Sequence, residues 1–257
     1  MGPDDANVEL VDVWDDYYAR PGDTAIKDRQ FFDLEVATLR RCIGEEAARA
    51  GLGSVAVLEL GSGTGFLAED VVDELTRRGV TVRYEGVDFS PVAVAAADSR
   101  AIPDCTFHCD DFLEFLDSNS QSYDVILTQR SVMAVMDRGG QERLLSLIRD
   151  HLRPGGLGLL SEGTVQGLAR VNELRLGLSL QPLEKVWHSQ YLDEGMVRRL
   201  FGTMAISQFA STYWLITRVI YPYFEKTPEH GTPLHDFAAS IDQSGDYCPV
   251  RLFAVRS

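Results

Sequence analysis

Three glycines at alternate positions, Gly61, Gly63 and Gly65, follow a short apolar run in the stretch LELGSGTGF. Alternate glycines after a strand let the backbone turn sharply, and they bring its N–H groups close to a ligand at the start of the next helix. The dinucleotide-binding fingerprint requires the spacing G-x-G-x-x-G, whereas this loop has G-x-G-x-G. The spacing therefore disfavours a nicotinamide dinucleotide and indicates another ligand.

Two acidic residues near this loop narrow the choice of ligand. Asp88 ends the run YEGVD, where a carboxylate can accept hydrogen bonds from both hydroxyls of a ribose. Glu59 precedes the first glycine, where it would repel a pyrophosphate but could hold an ammonium group, directly or through water. A ligand with a nucleoside at one end and an amino acid at the other fits both acids, and S-adenosylmethionine is such a ligand.

The elements that must position these residues alternate between strand and helix after Gly53. Strands are predicted at VAVLEL, VTVRYEGVD, CTFHC, YDVILTQ and GGLGLLSE, with a helix after each of the first four. This alternation predicts a parallel sheet covered on both faces, which binds ligands beyond the carboxyl ends of its strands. Two further runs, ISQFASTYWLITRVI and VRLFAVR, are predicted as consecutive strands that form an antiparallel edge.

The predicted organisation is one domain with two additions. A length of 257 residues, of which 45% are hydrophobic, suits one full-sized core. Residues 1–50, an aromatic arm followed by an amphipathic helix, are predicted to form a lid, and residues 51–257 the α/β domain. Residues 163–195 are a polar, helix-like insertion after the fifth strand and are predicted to cap the substrate.

The ordered motifs resemble those of class I S-adenosylmethionine-dependent methyltransferases of the small-molecule type. They are the ELGSGTG loop, the acid of GVDFSP, the acids of HCDDFLEF, the strand YDVILTQR and the turn LRPGGLGLLSE. The order of elements from Val55 to Ser257 also matches. The resemblance implies an α/β fold with a doubly wound, seven-stranded, mostly parallel sheet whose last strand is antiparallel. It also implies S-adenosyl-L-methionine as cofactor and S-adenosyl-L-homocysteine as product.

The resemblance further implies which residues hold the cofactor. Asp88 would hold the ribose, and Phe89 would lie against the adenine. The exocyclic amine of the adenine would donate to Asp110 or to its neighbour Asp111, and the other acid of this pair would cap the helix at Phe112. The full predicted cofactor site is Tyr17, Glu59, Gly61, Ser62, Gly63, Asp88, Phe89, Asp110, Asp111 and Gln129.

Residues for the methyl acceptor are predicted after the fourth and fifth strands and in the late part of the chain. The candidate catalytic residues are His188, Glu162 and Arg130. The candidate substrate-binding residues are Asn172, Arg175, Trp187 and Tyr213.

His188 is a candidate general base because the pKa of histidine lies near neutrality and the ring of Trp187 could shield it. A lone histidine is more often structural, and Glu162 competes for the same role. Asn172 and Arg175 are three residues apart, hence on one helical face, and could grip a carboxylate or polyol. The alternative is that Arg175 belongs to a solvated face.

Charge and composition restrict the partners. A formal net charge of −15 opposes attraction to nucleic acid. The cluster of Cys105, His108 and Cys109 is interpreted as buried free thiols beside a histidine rather than a metal site, because a strand directs the histidine away from the two thiols. The start of the chain lacks a secretion signal, and no apolar run reaches the roughly 18 residues of a membrane span, which predicts a soluble, cytoplasmic protein.

The predicted function is methyl transfer to an oxygen or nitrogen atom of a small molecule, in the biosynthesis of a natural product or a sugar or amino-acid derivative. Two alternatives stay open. One is a protein that binds S-adenosylmethionine and catalyses a cyclisation or elimination without methyl transfer, and the other is a protein methyltransferase. The chain could be a monomer or a homodimer.

Overall fold

The computed structural model describes residues 11, 14–16, 18, 28–202, 204–225 and 229–257. Its centre is a seven-stranded sheet in the order β3-β2-β1-β4-β5-β7-β6. Strands β1 to β5 are parallel, and β7 is antiparallel to both of its neighbours, β5 and β6. This arrangement confirms the predicted fold class. The strands are β1 Ser54–Leu60, β2 Thr81–Asp88, β3 Cys105–Cys109, β4 Tyr123–Gln129, β5 Leu152–Gly163, β6 Met204–Ser207 and β7 Val250–Arg256.

Helices connect and cover these strands. Several begin at a polar residue whose side chain accepts a hydrogen bond from a backbone N–H of the first turn, among them Ser90, Asp111, Asp137 and Thr164. The helices are α1 Arg29–Ala50, α2 Phe66–Arg77, α3 Pro91–Ser99, α4 Phe112–Ser118, α5 Arg138–His151, α6 Val165–Gly177, α7 Glu194–Phe201, α8 Ser211–Trp214, α9 Tyr221–Phe224 and α10 Pro233–Ser240.

Helix α1 belongs to the core. Phe31, Val36, Leu39 and Ile43 on its inner face are buried in the hydrophobic cluster that also contains side chains of β1 and α2. The apolar periodicity of this segment thus reflects burial against the sheet. Helix α1 is therefore not a lid. For the arm that precedes α1, the lid role stays a proposal.

The structure corrects the prediction of a long strand over residues 206–220. Only Met204–Ser207 is a strand, and residues 211–224 are helical, with a π-helical segment Leu215–Ile220 between α8 and α9. Apolar runs rich in aromatic and β-branched residues are compatible with a strand or with a buried helix, and periodicity alone does not separate the two. The segment after α9 contains helix α10.

The prediction that Cys105 and Cys109 are buried thiols is not confirmed. Cys248 is buried and Cys42 and Cys105 are half-buried, but Cys109 is exposed. Within the described ranges no group of three or more His, Cys, Asp or Glu residues is arranged to hold a metal ion. In the same part of the chain, no helix has both the length and the apolar character that crossing a bilayer requires.

Candidate functional site

The glycine loop leaves β1 at the carboxyl edge of the sheet and is tied to the end of β2. The N–H groups of Gly61 and Ser62 donate to the carbonyl oxygen of Val87 at 2.8 and 3.1 Å. Gly61 has φ +83°, and a Cβ on it would overlap the Cβ of Ser131, which follows β4. Glycine is therefore required there both by the backbone conformation and by the close approach of the turn after β4.

Asp88 holds the other side of this loop. Its Oδ2 accepts the N–H of Gly63 at 2.8 Å, and its Oδ1 accepts the N–H of Ser90 at 3.0 Å. Burial raises the pKa of Asp88, and these two hydrogen bonds partly offset that rise. The carboxylate is thus fixed at the end of β2, at the predicted position of a ribose-binding acid.

Glu59 is buried on β1, one residue before the strand ends. Its Oε2 accepts the hydroxyl of Tyr84 at 2.7 Å. The pKa of Glu59 is raised to about 8, mainly by burial; the Tyr84 hydrogen bond lowers it and the nearby charge of Asp88 raises it. A buried acid of this kind is costly to ionise, so a nearby cation would stabilise its charged form.

Two features of the loop fit a polar ligand. The hydroxyl of Ser62 is buried and has no hydrogen-bond partner among the described residues. The hydroxyl of Tyr18 lies 3.1 Å from the position that a Cβ on Gly63 would occupy, so Tyr18 lies against the loop. Tyr17, the predicted cofactor contact in the arm, lies outside the described residues.

The two consecutive acids after β3 have different partners. Asp111 caps helix α4, where its Oδ1 accepts the N–H groups of Leu113 and Glu114 at 2.8 and 3.3 Å. Asp110 accepts only the adjacent N–H of Asp111, at 2.9 Å, among the described residues. The geometry thus gives the capping role to Asp111 and leaves Asp110 available to a ligand.

Four side chains meet at the carboxyl ends of β4 and β5. Glu35 of α1 is fully buried there; its Oε1 accepts the hydroxyl of Ser161 at 2.5 Å, and its Oε2 accepts Nε2 of Gln129 at 2.9 Å. Nε of Arg130 lies 3.2 Å from the same Oε2. Arg130 has φ +59°, an uncommon conformation for a residue other than glycine that is often found at functional sites.

Glu162 holds the turn that contacts the glycine loop. Its two carboxyl oxygens accept the N–H groups of Ser131, Val132 and Met133 at 3.1 to 3.2 Å. Burial raises the pKa of Glu162 to about 7 although hydrogen bonds to the carboxylate lower it. These contacts fix a short 3₁₀ helix, Val132–Ala134, beside the glycine loop.

His188 belongs to the insertion, and its ring contacts Trp14 of the arm. Its ring is 5.4 Å from the ring of Trp14 and 5.3 Å from that of Trp187, in both cases edge to face. Trp14 also stacks on Tyr18 at 5.9 Å. Trp187 is 65% exposed, so it shields His188 from one side only.

Asn172 and Arg175 fasten the segment 178–193, here named the strap, to helix α6. The side-chain amide of Asn172 donates to the carbonyl of Leu183 at 2.8 Å and accepts its N–H at 2.7 Å. Arg175 is buried, and its Nε donates to the carbonyl of Gln181 at 2.8 Å. Arg175 is therefore not on a solvated face, and both side chains are engaged by backbone atoms in the described structure.

Tyr213, the remaining substrate-binding candidate, is fully buried on helix α8. Its hydroxyl donates to Oδ1 of Asp28 at 2.5 Å, and Arg218 also contacts that aspartate. The structure therefore does not present the Tyr213 side chain to a ligand.

Sequence reasoning missed Glu35 and Tyr84, which hold other predicted site residues. The signal for Glu35 was present, because this acid lies four residues from Phe31 and from Leu39 on the apolar face of α1. A charged residue within an apolar stripe indicates a buried, partnered acid. Tyr84 carries no such signal, since a tyrosine on a central strand is an ordinary core residue.

Comparison with known proteins gives a family match over the central part of the chain. Residues 57–156 match the family described as a methyltransferase domain. This range begins in β1 and ends in β5, and it includes the glycine loop, Asp88, Asp110 and Arg130.

Two curated relatives match a similar part of the chain. A stretch of 118 residues, 43% of the chain, is 34% identical to the non-reducing polyketide synthase esdpA of Penicillium shearii, of which it covers 5%. A stretch of 109 residues, 42% of the chain, is 31% identical to a malonyl-[acyl-carrier protein] O-methyltransferase of Bacillus cereus, of which it covers 37%. The chain thus spans well under two thirds of the length of either relative.

Among solved structures, the fold is similar to that of the N-methyltransferase NodS of Bradyrhizobium japonicum WM9, which was determined with S-adenosyl-L-homocysteine. The two share 13% sequence identity, the match covers 95% of each chain, and the TM-score is 0.58. At this identity the likeness concerns the fold.

Proposed function

We propose that this chain transfers a methyl group from S-adenosylmethionine to an oxygen or nitrogen atom of a small molecule, and the match of residues 57–156 to a methyltransferase domain supports this proposal. The observation that carries the proposal is the pairing of the glycine loop with two buried acids, Glu59 and Asp88. A natural product, or a sugar or amino-acid derivative, is the proposed class of acceptor.

The residues of the loop fit such a cofactor. Asp88 would accept the ribose hydroxyls, since a carboxylate has lone pairs beyond the two that Gly63 and Ser90 engage. Glu59 would balance the ammonium of the methionine part, and the Ser62 hydroxyl would find a partner there. Asp110 is the proposed acceptor for the adenine amine. Bound S-adenosylmethionine would supply an electrophilic methyl group.

The protein's own task is then to orient an acceptor and exclude water. The arm supports this role, because Tyr18 lies over the glycine loop and Trp14 joins it to His188 on the strap. Aromatic side chains packed over the loop favour a small acceptor over a protein segment or a nucleic acid. The net charge of −15 adds a separate argument against nucleic acid.

Of the two candidate bases, we favour His188. Glu162 accepts three backbone N–H groups, so its carboxylate is committed to the turn and acts as a positioning group. His188 lies at the junction of arm and strap, where it could take a proton from an acceptor that arrives protonated.

We expect His188→Ala to lower turnover by about a hundredfold, within the range ascribed to a general base, while the affinity for S-adenosylhomocysteine stays within about twofold. Steady-state kinetics and calorimetry measure the two quantities. Trp187→Phe, which keeps an aromatic ring beside the histidine, serves as the control. Normal turnover of His188→Ala would return Glu162 to the role of candidate base.

The function itself is tested by incubating the purified chain with methyl-labelled S-adenosylmethionine and a panel of small alcohols, amines and acids. We expect label in a small product and equimolar S-adenosylhomocysteine. If a small molecule is converted only in the presence of S-adenosylmethionine, but the labelled methyl group stays on the cofactor, the non-methylating alternative would be favoured. Label found in added protein would favour a protein methyltransferase, and tight binding of a nicotinamide dinucleotide with none of S-adenosylhomocysteine would overturn the proposal.

A further inference from the structure

A cavity of about 370 Å³ lies between helix α6 and the strap, beside the start of helix α5. This volume falls within the range of sites that bind small molecules. Its walls are formed by Arg138, Val165, Leu168, Ala169, Asn172, Lys185, Gln190 and Tyr191. Of these residues, Asn172 was predicted above to bind the substrate, and the other seven have no role assigned so far.

The charge of the cavity is opposite to that of the chain. The net charge of the protein is −15, yet the described lining includes two cations, Arg138 and Lys185, and no acid. Asp193 is a counter-charge that interacts with Arg138, and its Oδ1 already accepts Nε2 of Gln166 at 2.8 Å and the N–H of Gly195 at 2.9 Å. A cationic lining in an acidic protein favours an anionic ligand.

The rest of the wall is apolar. Val165, Leu168 and Ala169 follow one another along α6, and Val165 is 44% exposed although it begins a helix that packs on the domain. Tyr191 also lines the cavity. An exposed apolar surface next to cations suits a ligand with an apolar body and a charged end.

The cavity adjoins the proposed site of methyl transfer. Ser131 contacts Gly61 of the glycine loop, and Met133, in the same turn, lies against Gly163 together with the ring of Tyr191. The N–H of Gln190 donates to the carbonyl of Met133 at 2.7 Å. One short turn therefore separates the glycine loop from the cavity wall.

We propose that this cavity binds the methyl acceptor, and that the acceptor is an anion with an apolar body whose carboxylate or phosphate is held by Arg138 and Lys185. Val165, Leu168, Ala169 and Tyr191 contact the apolar body. The role as acceptor site rests on the proposed methyl transfer, whereas the binding of an apolar anion does not.

Binding is measured on the full chain by ligand-detected NMR with three probes of similar size: phenylacetate, phenyl phosphate and the neutral phenylacetamide. We expect at least one anion to bind about tenfold more tightly than the amide, since a charge-assisted hydrogen bond contributes over 1 kcal/mol. The double variant Arg138→Gln, Lys185→Gln should remove this preference. Ala169→Phe should abolish binding of all three probes by filling the cavity.

The matched control is Arg170→Gln, because Arg170 adjoins Ala169 on α6 but is absent from the lining and pairs with Glu173. It should bind the anions as the unmodified chain does. Equal binding of anion and amide, no binding of any probe, or unchanged binding by Ala169→Phe would each overturn the proposal. If the chain binds phenyl phosphate but not phenylacetate, or the reverse, the result identifies which anionic group the cavity accepts.

S-adenosylhomocysteine binding is measured on the same samples. A chain that binds the anion but not S-adenosylhomocysteine would contradict the proposed function, and the cavity would still be a binding site for an apolar anion. A chain that binds S-adenosylhomocysteine but no anion would contradict only the cavity assignment. Thermal unfolding confirms that each variant is folded, and Ala169→Phe provides an independent test if the double variant is not.

Discussion

Replacement of Asp88 by alanine is expected to weaken binding of S-adenosylhomocysteine by at least about tenfold. Each hydrogen bond from a ribose hydroxyl to a carboxylate contributes about 1.5 to 3 kcal/mol, and about 1.4 kcal/mol corresponds to tenfold in affinity. The variant also leaves the N–H groups of Gly63 and Ser90 without their acceptor, so the loop loses part of its support. Isothermal calorimetry measures the change.

The control for this variant is Asp98→Ala, which removes an equal charge from an exposed position on α3. Its affinity should equal that of the unmodified chain. Asp88→Asn separates the two contributions, because an amide oxygen can still accept one of the two backbone N–H groups. Unchanged affinity in a folded Asp88→Ala protein would remove Asp88 from the ribose site.

The second large effect is a pH dependence of cofactor binding through Glu59. The pKa of Glu59 is about 8 in the ligand-free protein, mainly because the carboxyl group is buried, so this group is mostly protonated at neutral pH. An ammonium group favours the ionised form, and binding must then release a proton. We expect the affinity for S-adenosylhomocysteine to rise with pH up to about 8 and then to level off.

The same pKa predicts an effect of opposite sign on stability. The unfolded carboxyl ionises near its ordinary value of 4.5, whereas the folded one holds its proton to about 8. The folded state therefore binds more protons between these values, and this group's contribution to the free energy of unfolding falls as pH rises through that window. Glu59→Gln should make the ligand-free protein more stable than the unmodified chain above pH 8.

Glu59→Gln should also weaken S-adenosylhomocysteine binding by at least about tenfold at pH 8, since the counter-charge of the ammonium is lost. Glu162, with a pKa of about 7, titrates in the same range, so the contribution of Glu59 is taken from the difference between variant and unmodified chain. Tyr84→Phe removes a hydrogen bond that lowers the pKa of Glu59 and should shift the midpoint to higher pH. An affinity that is independent of pH in the unmodified chain would contradict the role of Glu59.

The sheet could be predicted because its order follows from local patterns and handedness. Short apolar strands separated by helices leave few possible strand orders in a sheet. The predicted edge with an antiparallel last strand is confirmed. The segment 206–220 could not be assigned by the same means. Its aromatic and β-branched residues suit either structure, and burial of Phe209, Tyr213 and Val219 against the core favours the helix.

The cofactor residues were easier to predict than the acceptor residues for a physical reason. Glu59 and Asp88 lie at strand ends, and the carboxyl ends of parallel strands meet at one edge, so position along the chain specifies position in space. Asn172, Arg175 and Tyr213 lie in segments whose packing depends on distant partners: the strap, Arg218 and Asp28. Their side chains suggested ligand binding, but the partners that engage them are not visible from local sequence.

The position of Trp14 has a kinetic consequence. Its ring contacts Tyr18, which lies over the glycine loop, and His188, which lies on the strap. Displacement of this single ring breaks both contacts at once, so Tyr18 over the glycine loop and His188 on the strap are coupled through it. On the proposed function, we expect release of the spent donor and exchange of the acceptor to share one opening step.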